Sequence, residues 1–78
     1  MEPIEVTFRF DPQGKIYPLG FTWKEHRYVI LSVGRRWEAA NDLHILVMIA
    51  NERVFELVYS QNEAHWFLNF RDSPQNLV

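Results

Sequence analysis

The chain has 78 residues, a formal net charge of −2 and no cysteine. That length makes one small domain, which buries only about 60% of the surface its unfolded chain exposes, and the missing cysteines exclude disulfide staples, thiol catalysis and Cys-built zinc sites. Stabilisation must come from three Trp, three Tyr and six Phe, the side chains with most apolar area to bury, while the slight negative charge argues against a dedicated duplex-DNA binder, which needs surplus Lys and Arg.

The first predicted element is a strand from Ile4 to Phe10, where Ile4, Val6, Phe8 and Phe10 alternate with Glu5, Thr7 and Arg9, the period of a strand with one buried face. DPQGK follows; Pro12 pre-sets a turn φ and Gly14 can take a positive one, so the chain reverses there. A short strand from Leu19 to Trp23 places Leu19, Phe21 and Trp23 on one face. A tight reversal at Lys24-Glu25-His26 then feeds a longer strand, Arg27 to about Trp37. In it Val29, Leu31, Val33 and Trp37 are read as facing the core, with Tyr28, Ile30 and Ser32 opposite. Gly34 suits a bulge or bend in a curling sheet.

Leu43–Ala50 and Val54–Tyr59 flank the turn Asn51-Glu52-Arg53. Leu43, Leu46, Val47, Ala50, Val54, Leu57 and Val58 also recur at near-helical spacing, so a helix competes here. The β-branched Ile45, Val47, Ile49, Val54 and Val58 favour strands. After the loop SQNEA, His65–Phe70 makes a last strand with Trp66, Leu68 and Phe70 on one face. The expectation is an all-β fold: an antiparallel meander of about six short strands curled into a small barrel or half-barrel. It forms one domain over 1–78, with residues 72–78 as a frayed tail.

Phe21, Trp23, Tyr28, Val29, Trp37, the triplet Phe55-Glu56-Leu57 and the triplet Trp66-Phe67-Leu68 form an order of aromatic strand positions. Over about residues 18–70 this pattern resembles a family of small bacterial domains of uncharacterised function, found alone or beside Y-family translesion DNA polymerase modules. The resemblance implies an accessory role in DNA repair and supplies no catalytic residues.

Chemistry-bearing patterns are sparse. Ser32, Ser60 and Ser73 stand in no nucleophile motif, and His26, His44 and His65 show no partner spacing, so neither catalysis nor a metal site is expected. Gly14, Gly20 and Gly34 are too scattered for a phosphate loop. Glu56 is expected to make an ordinary cross-strand ion pair with an arginine. No cofactor or small-molecule substrate is evident. The N-terminus MEPIEVTFRF lacks a signal peptide's basic region, and the longest apolar run, Ile45–Ala50, is far short of the roughly 20 residues that span a bilayer. The chain therefore reads as cytoplasmic, with no membrane partner.

Charge is unevenly spread. Residues 1–37 hold six cations against four acids, and residues 38–78 two arginines against six acids. Within the first part, Lys24, Arg27, Tyr28, Arg35 and Arg36 could bind a single nucleic-acid strand, rings stacking bases and cations meeting phosphates. That reading is the alternative. The preferred one starts from Tyr28, Ile30, Leu46, Met48, Val54, Val58 and Phe67, which lie opposite the expected core face and are too many to expose without forming a patch. It predicts a non-catalytic domain acting by protein contact, as a homo-oligomer or docked on a larger protein.

Overall fold

In the computed structural model, which describes residues 1–70 (backbone only at Phe70), β1 (Glu2–Phe10) begins the sheet with Ile4 buried and Val6 and Phe8 packed against the same core. The predicted reversal follows at residues 11–15. Gly14 sits at φ 83°, and Asp11 Oδ1 accepts from the backbone N–H of Gln13 at 2.9 Å and of Lys15 at 2.8 Å. These bonds fix the turn that sends the chain into β2 (Ile16–Trp23). A two-residue turn at Lys24 and Glu25, both in the left-handed region at φ 52° and 66°, pairs Trp23 with His26 and starts β3 (His26–Val29).

β4 (Ser32–Ala39), β5 (Asp42–Ile49), β6 (Arg53–Ser60) and β7 (His65–Phe70) complete the chain, with one short 3-10 turn at Ala50–Glu52. The competing helix over 43–58 does not form. β5 and β6 are instead a hairpin in unbroken register from Asp42↔Ser60 to Ile49↔Arg53. All pairings are antiparallel, and the sheet order is β3-β2-β1-β7-β6-β5-β4. Consecutive strands are thus ladder neighbours except β3 and β4, β7 returns to β1, and the meander curls into a half-barrel whose two edges are β3 and β4. Predicted residues 72–78 lie outside the described residues.

The count is seven strands rather than six because the expected long strand, Arg27 to Trp37, is broken. Ile30 N donates to Leu19 O in β2 and the next amide, Leu31 N, donates to Met48 O in β5. The chain therefore leaves one sheet edge and joins the other within two residues. That crossing slips the inside/outside phase. Tyr28 and Ile30, read as outward, pack against the core, as does Val33, whereas Val29 and Leu31, read as core, are each 64% exposed.

Two bulges shift other assignments. In β2, Thr7 pairs with Gly20 but Phe8 pairs with Pro18, which leaves Leu19 unopposed and 40% exposed. In β4, Val33 pairs with Val47 and Arg36 with Ile45, so Gly34 and Arg35 together face Leu46, the bulge that Gly34 suggested. Trp37 then points outward beside His44 instead of into the core. The interior holds Ile4, Phe21, Ile45, Val47, Ile49, Phe55, Leu57, Trp66 and Leu68. Phe21 stacks on Tyr28 with centroids 5.2 Å apart and meets Phe55 edge-on at 5.5 Å. Rings give this small interior its volume.

Candidate functional site

The seven proposed contact residues divide between the two faces. Tyr28 and Ile30 belong to the interior for the reason just given. Leu46, Met48, Val54, Val58 and Phe67 do share the face turned away from the core, where register sets Met48 beside Val54 and Val58 beside Phe67. Val54 and Val58 are themselves buried; Leu46, Met48 and Phe67 are half-buried. Leu31, bonded through its amide to Met48, extends this strip toward the bend. Over Gly34, where no side chain stands, a shallow depression of about 150 Å³ opens between Arg35, Leu46, Met48 and Val54.

The same outward face carries a polar centre that the sequence did not announce. Glu56 is 1% exposed, and its Oε2 lies 2.6 Å from His44 Nδ1, the His44 side chain being 18% exposed. Trp37 lies parallel on the His44 ring, centroids 5.1 Å apart and planes 9° apart. The Arg35 guanidinium sits 5.2 Å from the Trp37 centroid. The sequence reading expected an arginine against Glu56 and did not name His44, which meets it diagonally across the β5–β6 hairpin. The signal available was that both residues occupy outward positions of one hairpin. Chemically the carboxylate fixes the imidazole's orientation, as a second group does for a relay or ligand histidine. Among the described residues no three acidic or histidine groups gather as a metal site. Ser60 Oγ accepts from Glu63 N at 3.3 Å rather than meeting His44.

The nucleic-acid candidates are not brought together. Lys24 lies over Trp23 at 4.9 Å, at the β2–β3 turn. Arg27 is exposed and lies across Gly20. The Tyr28 ring is committed to Phe21, and Arg35 to Trp37 on the outward face. Arg36 turns toward β2, where its Nη2 donates to the Ile16 carbonyl. There a cleft of about 410 Å³ separates β2 from β4, lined by Lys15, Ile16, Arg36, Glu38, Leu43 and Gln61 among others.

Among the described residues no helix is long and apolar enough to cross a membrane. No protein-family model matches the chain, and no curated protein or solved structure shows a significant match to it.

Proposed function

We propose that this is a non-catalytic domain that works by protein contact, through self-association or by docking on a larger protein. The observation that carries the reading is the outward apolar strip: Leu31, Met48 and Leu46 in succession, with the depression over Gly34 at their side, and Phe67 on the same face in the row of Val58 and His44. The part of these half-buried side chains that still meets water gains free energy only when a partner covers it. The Glu56–His44 pair supports a structural role better than a catalytic one, since Trp37 covers one face of the imidazole and the described residues set no nucleophile against it. The resemblance to domains beside translesion polymerases makes repair machinery the first larger protein to try.

The nucleic-acid alternative keeps Lys24, Arg27 and Arg35 as accessible cations but loses the Tyr28 ring to the interior. The two readings separate in one experiment. Solution mass is measured from micromolar to millimolar chain, with and without a mixed-sequence single-stranded oligonucleotide, for the parent and for Leu31→Lys and Met48→Lys. A mass that rises with concentration in the parent and not in the variants supports self-association, and a monomer indifferent to the oligonucleotide directs the search to a larger protein. A chain that gains mass only with the oligonucleotide, and loses it steeply with salt, overturns the contact reading.

A further inference from the structure

Two strand edges face each other across the opening of the curled sheet. β4 ends the strand order, so among the described residues its outer edge has no ladder partner. On the far side, Ile16, Tyr17 and Pro18 of β2 pair with β1, while β3 takes the other edge of β2 only from Gly20 onward. Pro18, which has no N–H to leave unpaired, suits such an edge. The cleft of about 410 Å³ lies between these edges, and Arg36 reaches across it to the Ile16 carbonyl. A paired neighbour would sit about 4.8 Å away; a bond made through a whole arginine side chain marks a wider separation.

We infer that this opening is a strand-addition site that takes an extended, acidic segment of a partner protein along β4. An eight-residue edge offers main-chain donors and acceptors to an incoming strand, which is how peptides dock on exposed sheet edges. Charge selects the occupant. Lys15 and Arg36 line the opening against Glu38, Arg35 projects from the outward side of β4 over Trp37, and the nearby Asp11 carboxylate is already engaged by the N–H groups of Gln13 and Lys15. A second copy is a poor occupant. Antiparallel pairing of β4 with itself about its centre sets Arg35 and Arg36 against the same residues of the other chain, and like charges directly opposite destabilise a ladder. On an added acidic strand the acids share the outward side with Arg35, and the apolar residues that alternate with them face Ile16 and Leu43.

The inference rests on the contact reading but uses the edge of β4; Arg35 also borders the depression over Gly34, so Met48→Lys, which changes only the strip, lets the two fail separately. The full chain, isotope-labelled, is titrated with a synthetic peptide of alternating glutamate and valine, capped at both ends, and with its lysine-for-glutamate counterpart. Amide shifts and hydrogen exchange are read residue by residue. The expected result is at least tenfold slower exchange along residues 33–39 and shifts at 16–18 with the acidic peptide, and no response to the basic one. Arg35→Glu, at an exposed position that does not bridge the cleft, is expected to weaken the acidic peptide at least fivefold with an unchanged circular dichroism spectrum. Met48→Lys is expected to bind it like the parent. The inference is overturned if neither peptide protects β4, if both protect it equally, or if residues 33–39 are protected in the free chain or by raising its concentration alone.

Discussion

His44 Nδ1 meets Glu56 Oε2 at 2.6 Å on the face of the sheet that the core does not use, with the Glu56 side chain 2% exposed. A buried carboxylate that loses a hydrogen-bond partner retains its desolvation cost, whereas replacing both partners by apolar groups removes the cost with the bond. His44→Leu alone is therefore expected to destabilise the fold by about 1–3 kcal/mol. The double variant His44→Leu with Glu56→Leu should recover most of that loss. Urea unfolding of the singles and the double gives the coupling energy directly; strictly additive losses would mean that the pair is not a unit.

What the sequence could disclose follows from which features are local. The alternation of Ile4, Val6 and Phe8, the DPQGK turn and the reversal at Lys24-Glu25 each depend on neighbouring residues, and each is present. The β5–β6 hairpin was also within reach, because its β-branched residues outweigh the helical spacing. The side assignments failed at Leu19, Val29, Leu31 and Trp37. At each of these places the sheet curls by a bulge or crossing, and the need to curl comes from closing the sheet rather than from the residues next in the chain. The return of β7 to β1 and the facing edges of β2 and β4 are likewise properties of closure. The His44–Glu56 pair needed the register of a hairpin that composition alone left open to a helix.

The titration of the Asp11 carboxyl is displaced by a clear local cause. The backbone N–H of Lys15 is the main influence, joined by the N–H of Gln13 and the charges of Lys15 and Arg36 and opposed by desolvation, and together they hold the carboxyl below its ordinary value. A carboxyl depressed in the folded state contributes stability above its unfolded pKa, about 4. That contribution is lost as pH falls through the lower folded value. Asp11→Asn should thus melt below the parent at pH 6, and the difference in midpoint should shrink toward zero by about pH 2. A difference independent of pH would assign the effect to turn geometry alone.

The β4–β5 turn has room for improvement. Ala40 and Asn41 both occupy the left-handed region, at φ 52° and 69°, and an alanine there places its Cβ too near the following carbonyl. The preferred pair for such a two-residue hairpin is Asn-Gly. Ala40→Asn combined with Asn41→Gly is expected to stabilise the domain by about 1 kcal/mol, measured as a raised denaturation midpoint with an unchanged slope. A fall in stability would show that the side chain of Asn41 contributes more than its conformation costs.

Two glycines of the sheet should respond in opposite ways to the same added methyl. At Gly20 a Cβ would stand 2.9 Å from the Tyr28 carbonyl oxygen and 2.7 Å from Arg27 Nη2. The guanidinium can move, but the carbonyl belongs to the backbone of the paired strand, so β3 would have to shift away from β2. Gly20→Ala should therefore cost about 1–3 kcal/mol and loosen the Phe21–Tyr28 stack, visible as a changed near-ultraviolet dichroism. At Gly34 the nearest atom to an added Cβ is the Leu46 carbonyl oxygen at 3.7 Å, ordinary van der Waals contact, so Gly34→Ala should change stability by less than about 0.5 kcal/mol. Because the methyl would enter the depression between Leu46 and Met48, the same substitution is a sensitive probe of the contact reading. It leaves the fold intact and should weaken any association made through that strip, whereas unchanged association in a stably folded Gly34→Ala chain would exclude the depression from the contact.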